Sequence, residues 1–183
     1  MITSSKPSLK TLSRNLLAVS VLLVTTTSMA WAEIGTPINQ PESNYSTVET
    51  RNRAIVQKAF ENWRAGGNVF TELLADDVVW TIHGSGPVAD TYYSQKDFTE
   101  RGSGPLVSRL TSGIMPTVRG IMADGDIVIV RFDGSATTTS GKPYHNKFVW
   151  MFRMKDDRVV EAEAFLDLVA YQNVVDNNEP RVD

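Results

Sequence analysis

The amino-acid sequence predicts an α+β protein in which a cone-shaped, curved antiparallel sheet packs on N-terminal helices. Apolar residues from Val56 onwards recur with the spacing of one helix face. Turn signals such as Asp124-Gly125 then separate segments that are rich in β-branched and aromatic residues. Residues 143–154 alternate, with large apolar side chains on one face. Helices followed by hairpin-linked strands are typical of an α+β domain.

The composition excludes several functional classes. The 183 residues include no cysteine and two histidines, and the formal net charge is −3. Disulfides, thiolate metal sites and a cysteine nucleophile are therefore excluded. We expect neither a metal centre nor another cofactor. The small acidic surplus argues against a nucleic-acid-binding protein, because such proteins usually carry a basic surplus.

The first 32 residues have the features of a secretory signal peptide. Their only charges are Lys6, Lys10 and Arg14, and the apolar run at residues 16–24 is shorter than the ~20 residues that span a bilayer. Ala30-Trp31-Ala32 then provides a cleavage site of small residues. Cleavage leaves 183 − 32 = 151 residues with a net charge of −3 − 3 = −6, exported to the periplasm or beyond and not held in a membrane. The alternative is an uncleaved signal anchor.

The first half of the mature chain predicts two helices and a strand. Residues 33–45 form a flexible lead-in with two prolines and few apolar side chains. A capping box at Ser46–Glu49 starts the first helix, and Gly66-Gly67 ends it. A short second helix closes at Asp76-Asp77, and residues 78–83 form the first strand.

The second half of the chain predicts a short helix and a sheet. The helix begins at Ser94 and is interrupted by glycine and proline at residues 102–105. A polar tail at residues 173–183 is expected to fray, so the folded domain covers residues 46–172. Four strands joined by turns are predicted at residues 115–123, 127–137, 143–154 and 159–171.

The longest predicted strand carries an aromatic face with a single amide. We expect this face to line the inside of the cone and the helix residues Phe60 and Trp63 to cover it. The arrangement forms either a filled core or a ligand pocket, since ligand sites are concave and apolar with a few polar groups. The residues of the aromatic face are Tyr144, Asn146, Phe148, Trp150, Phe152 and Met154.

Three stretches, residues 73–80, 144–152 and 158–167, resemble the SnoaL-like domains of the nuclear transport factor 2-like superfamily. The first reads Leu-Leu-Ala-Asp-Asp-Val-Val-Trp, the second is the aromatic strand, and the third ends in Phe-Leu-Asp. The resemblance covers residues 48–172 and implies a cystatin-like α+β barrel. It also implies a homodimer, because members often pair through the outer face of the sheet. The fold hosts isomerases, cyclases, hydrolases and noncatalytic binders, so it does not by itself specify a chemistry.

The enzymes of this fold are matched here only in part. Arg131-Phe132-Asp133 matches the Arg-x-Asp pair of limonene-type epoxide hydrolases, but their D-x-x-D motif reads Ala164-Phe165-Leu166-Asp167, so Ala164 replaces the acid. SnoaL-type cyclases use a carboxylate at the same place. In ketosteroid isomerases the base position corresponds to Ile82 and the oxyanion-binding Asp to Trp150, which can donate a hydrogen bond but cannot titrate.

The candidate catalytic residues are His83, Asp133 and Asp167. His83 has an unperturbed pKa that suits a general base, and Arg131 could hold Asp133 ionised. Two functions stay open: a cofactor-free isomerase, cyclase or hydrolase that uses acid–base chemistry on a small apolar molecule, or a noncatalytic module that binds a hydrophobic ligand or a partner. The candidate ligand-binding residues are Phe60, Trp63, Trp80, Arg131, Asn146, Phe148 and Trp150.

Cleavage after Ala32 predicts that the exported protein begins at Glu33. The substitution Ala30→Arg should block cleavage, because the site requires small residues. Intact-mass measurement of the exported protein checks both expectations. An exported protein that still begins at residue 1 contradicts the prediction.

Overall fold

The computed structural model describes residues 46–182, so the predicted signal peptide and the lead-in lie outside the described residues. Two helices, two strands and three short helical segments come first, and four consecutive strands and a last helix follow. No described helix is long and apolar enough to cross a membrane. In chain order the elements are α1 (Thr47–Arg64), α2 (Val69–Leu73), β1 (Leu74–Ile82), β2 (Thr91–Tyr92), α3 (Gln95–Asp97), a π-helical segment (Phe98–Ser103), α4 (Gly104–Val107), β3 (Met115–Asp124), β4 (Ile127–Thr137), β5 (Pro143–Lys155), β6 (Arg158–Phe165) and α5 (Leu168–Asn177).

The strands form one curved, open sheet in the order β2-β1-β6-β5-β4-β3. The helices pack on its inner face, which confirms the predicted α+β cone. Strands β3 to β6 form the antiparallel meander, whereas β1 and β6 pair in parallel. The prediction of a wholly antiparallel sheet was wrong at this pair, because turn signals report only on strands that are neighbours in sequence.

Helix α1 covers the inner face of the sheet and begins as predicted. The Ser46 side chain accepts from the Glu49 backbone amide, and the Glu49 side chain accepts from the Ser46 amide, which completes the capping box. Val56, Ala59 and Phe60 form its buried stripe. The helix ends before Gly66, whose φ of +101° lies in the left-handed region that glycine adopts at little cost.

Two predicted boundaries were wrong. Asp76-Asp77 does not close α2 but lies inside β1, which begins at Leu74. The last strand does not run to residue 171. It ends at Phe165, because Asp167 caps a new helix by accepting from the amides of Val169 (2.9 Å) and Ala170 (3.0 Å).

The predicted frayed tail is also replaced by ordered structure. Helix α5 runs to Asn177, beyond the expected domain end at residue 172. The next residue, Asn178, is held by Arg109, whose Nε donates to the Asn178 carbonyl at 2.8 Å. The polar residues of this segment therefore make hydrogen bonds to the loops that precede β3 and β5.

Asn146 joins β5 to the corner between β6 and α5. Its Nδ2 donates to Tyr144 Oη and to the Asp167 carbonyl, both at 2.9 Å. Its Oδ1 accepts from the Asp167 amide at 2.9 Å. The Asn146 side chain is almost fully buried. Burial also raises the pKa of Tyr144 to about 12, so the Asn146–Tyr144 hydrogen bond joins two neutral groups. Asn146, predicted to bind ligand, is thus a structural link between two elements.

We expect Asn146→Ala to lower the free energy of unfolding by about 2 kcal/mol, because the buried groups of Asp167 and Tyr144 lose their partner. Chemical denaturation measures this change. The exposed neighbour His145 offers a matched control, and His145→Ala should change stability by less than about 0.5 kcal/mol. Equal stability of the two variants would contradict the structural assignment.

Candidate functional site

The inside of the cone contains a cavity of about 370 Å³. It lies between the inner face of the sheet, the α1–α2 turn and the segment from Phe98 to Val107. Its wall is mostly apolar and carries seven large aromatic side chains, namely Trp63, Phe70, Trp80, Phe98, Phe148, Trp150 and Tyr171.

The alternation of side chains along the strands determines which residues of the sheet line the cavity. Phe148 and Trp150 point inward from β5, and Ile82 points inward from β1. Ala164 on β6 pairs with Trp150 on one side and with Ile82 on the other, and its small side chain leaves the space open. The predicted ligand-binding residues Trp63, Trp80, Phe148 and Trp150 all line the cavity.

The three positions that carry acid–base groups in related enzymes also meet at this wall. They are Ile82, Trp150 and Ala164, as the resemblance implies, and all three line the cavity. None of them titrates. Within the described part of the chain, no carboxylate, imidazole or ammonium group lines the cavity. The only ionisable side chain there is Tyr171, and burial raises its pKa further above the neutral range.

The hydroxyl groups of the wall donate their protons within the protein. Tyr171 Oη donates to the Gly102 carbonyl at 3.0 Å. Ser103 Oγ donates to the Thr99 carbonyl at 3.2 Å, and Thr99 Oγ1 donates to the Gln95 carbonyl at 2.7 Å. These bonds satisfy the carbonyls of the π-helical segment and its flank, so the hydroxyls have no second proton to offer a ligand.

The indole N–H groups of Trp63, Trp80 and Trp150 are different. None of the three donates a hydrogen bond to another described residue, and Trp80 Nε1 is fully buried without a partner. A buried, unpaired donor costs about 1–3 kcal/mol. Trp63 and Trp150 lie nearly parallel, with ring centroids 5.8 Å apart and planes 7° apart. The cavity therefore combines aromatic walls with donors that lack acceptors.

His83 lies on the outer face of the sheet, because it follows the inward-facing Ile82. Its Nε2 is 2.7 Å from Glu163 Oε2, and its ring stacks on Phe165 at 4.6 Å. The side chain is 40% exposed. The predicted general base is thus part of a surface pair and does not reach the cavity.

Asp133 and Arg131 also lie on the outer face. Asp133 Oδ2 accepts from Arg119 at 2.8 Å, so Arg119 on β3 replaces the predicted partner Arg131. The alternation of β4 explains this arrangement, because Phe132 between them is the residue that points inward. Arg131 is exposed.

The structure therefore does not bring His83, Asp133 and Asp167 to one site. Asp167 caps α5, as described above. Phe60 packs against two residues of the cavity wall. Its ring centroid lies 5.5 Å from that of Trp63 and 5.8 Å from that of Trp150. Among the described residues, no group of three acidic or histidine side chains could hold a metal ion.

Sequence reasoning missed the helical side of the wall. Phe70, Phe98 and Leu106 close the cavity opposite the sheet. Phe98 begins the π-helical segment, and Leu106 lies in α4, which follows it. Gly102 makes this region look like a loop in the sequence, but it allows close packing, since a Cβ there would lie 2.7 Å from the Phe98 ring.

Solved structures share the fold at low sequence identity. A SnoaL-like protein from Jannaschia sp. CCS1 has 18% identity and a TM-score of 0.57, covering 74% of this chain and 99% of its own. A nuclear transport factor 2-like protein from Burkholderia thailandensis E264 has 20% identity and a TM-score of 0.54, covering 70% and 98%. TerC, co-crystallised with polyporic acid, has 21% identity and a TM-score of 0.55, covering 69% and 98%.

No curated protein matches the sequence significantly. The family comparison is positive, because residues 56–162 match the SnoaL-like domain. The matched region extends from α1 to β6 and contains most of the cavity wall. The chain therefore belongs to the SnoaL-like domain family.

Proposed function

We propose that this protein is an exported binding protein for a small molecule with a flat, uncharged ring system that carries a hydrogen-bond acceptor. The observation that carries the proposal is the composition of the cavity wall. Its donors without an acceptor among the described residues include three indole N–H groups, and among the same residues no acid or base with a neutral-range pKa faces the space. A noncatalytic role follows from this wall, in preference to acid–base catalysis.

The size and polarity of the cavity support an uncharged ring system. A volume of about 370 Å³ lies within the range of small-molecule sites. A charge inside an apolar wall without a partner would cost several kcal/mol or more. Conjugated rings also pack well against the aromatic side chains of the wall in stacked or edge-to-face arrangements.

The indole donors support an acceptor on the ligand. A carbonyl or ether oxygen could accept from Trp63, Trp80 or Trp150, which have no acceptor among the described residues. A bound acceptor would remove the cost of an unpaired donor and fix the orientation of the rings. The same wall discriminates against a pure hydrocarbon, which leaves the donors unpaired.

Fluorenone and fluorene form a matched pair of probes for this proposal, because they differ by one carbonyl oxygen. We expect the protein to bind fluorenone about five- to tenfold more tightly, the worth of one net hydrogen bond. In the mature protein all three tryptophans line the cavity, so quenching of their fluorescence measures both affinities.

The variants Trp63→Phe, Trp80→Phe and Trp150→Phe identify the donor, since each removes an N–H and keeps an aromatic ring. At least one variant should lose the preference for fluorenone, because its affinity for fluorenone falls by more than its affinity for fluorene. A wild-type protein that binds neither probe, or both equally, would contradict the proposed acceptor-binding site.

We also propose that two copies pair through the outer face of the sheet, as the resemblance implies. Met122 and Phe165 are 55% and 42% exposed on this face, and Ile129, Val149 and Met151 are partly exposed between them. Charges of both signs surround the band, so a two-fold axis can bring opposite charges of two copies together. These charged residues are Arg131, Arg153, Glu161 and Glu163.

The substitution Met122→Glu should raise the dimer dissociation constant by about tenfold or more, because it buries a carboxylate without a partner. Val169→Glu on α5 is the control, since Val169 is also exposed but lies outside the sheet. Sedimentation velocity measures both. A monomeric wild type, or a dimer that Met122→Glu leaves intact, would rule out this interface.

A further inference from the structure

The cavity continues into a wider cleft at the surface. This cleft, which we call the vestibule, has a volume of about 590 Å³ and shares Trp63, Gly66, Gly67, Gly113 and Ile114 with the cavity wall. The passage between them is lined by three glycines. A Cβ at Gly66 or Gly113 would meet no atom within 4 Å, so there is free space on both sides of the passage.

The vestibule leads in turn to a polar cleft on the outer face of the sheet. The two share Ser135 and His145. The polar cleft has a volume of about 610 Å³ and is also lined by Thr117, Arg119, Asp133, Lys147 and Asp167. A chain that leaves the cavity between the glycines therefore meets charged side chains beyond the vestibule.

The polar cleft contains two carboxylates, and Asp133 Oδ1 is buried with no partner among the described residues. Asp133 pairs with Arg119 at 2.8 Å, and Asp167 accepts from the first amides of α5. Lys147 and His145, by contrast, form no ion pair with any described residue. Both are exposed and lie on the same face of β5. Lys147 is thus the cation of the cleft that lacks an ionic partner among the described residues, although Asp167 balances its charge over the cleft as a whole.

The distance from the cavity to this charge suits a short flexible chain. Phe148 lines the cavity, and His145 lies three residues earlier on the same strand. At about 3.3 Å per residue, the two positions are roughly 10 Å apart along β5. Phe148 faces inward and His145 outward, so the path through the vestibule is longer than this separation, and the chain needs about ten carbons or more.

From these observations we propose that the natural ligand carries an acidic tail on a flexible chain. The ring system occupies the cavity, the chain passes between Gly66-Gly67 and Gly113, and the anionic end lies near Lys147 and His145. This inference rests on the proposed ring-binding function and adds the charge and shape of the rest of the ligand. It distinguishes an amphipathic acid from a compact neutral compound.

Pyrenedecanoic acid and pyrenedecanol test the inference, because they share rings and chain and differ in the charge of the tail. The preference for the acid is the dissociation constant of the alcohol divided by that of the acid. We expect this ratio to be about three- to fivefold larger in the wild-type protein than in the double variant Lys147→Gln/His145→Gln. The ratio of the two dissociation constants in each protein cancels the difference in hydrophobicity of the tails. Added salt should reduce the preference, since exposed charges are screened.

The control is Lys142→Gln, which removes an exposed lysine that lies outside the polar cleft and should keep the wild-type ratio. The same ratio in wild type and in the double variant would overturn the acidic tail. Binding of fluorenone without binding of either pyrene probe would also overturn it, while leaving the ring site in place. Failure of all four probes would refute the proposed function itself.

Discussion

The alternation of β5 is the constraint on which the rest of the structure depends. This strand of thirteen residues pairs with β4 along one edge and with β6 along the other. Its inward residues Phe148 and Trp150 form the cavity wall, and its outward residues His145 and Lys147 form the polar cleft. A slip of one residue would exchange the two faces, so burial of the aromatic rings fixes the register of the whole sheet.

Neighbouring strands adapt to the rings of β5. Gly134 on β4 faces the Phe148 ring, and a Cβ there would lie 2.8 Å from it. Phe132 stacks on Phe148 at 4.7 Å and meets Trp150 edge-on at the same distance. On the other side, Ala164 is small enough to leave the cavity open. Small residues beside large ones thus produce a pocket within a well-packed aromatic core.

Much of this fold could be predicted from the sequence, because local patterns report on local structure. The capping box of α1, the hairpin at Asp124-Gly125 and the two faces of β5 were all correct. The parallel pairing of β1 with β6 was missed, since it joins segments that are distant in the chain. Helix α5 was missed because the cap at Asp167 follows an apolar run that also suits a strand.

The candidate site was predicted in part for the same reason. Alternation correctly placed Phe148 and Trp150 in the wall, and the position that the resemblance assigns to the missing acid, Ala164, lies there as well. The resemblance could not assign His83 to a face of the sheet, because a shift of one residue along β1 exchanges the inner and outer faces. The wall therefore contains aromatic donors where a catalyst would need an acid or a base, and this substitution is the basis of the proposed binding role.

The most direct test of that role is the NMR spectrum of the indole N–H groups. A nitrogen-15-labelled protein without the first 32 residues should show three indole signals, one for each tryptophan of the cavity wall. We predict that saturating fluorenone moves at least one indole proton downfield by more than fluorene does, since only fluorenone accepts a hydrogen bond. Identical shifts with the two probes would contradict a site built from unpaired indole donors.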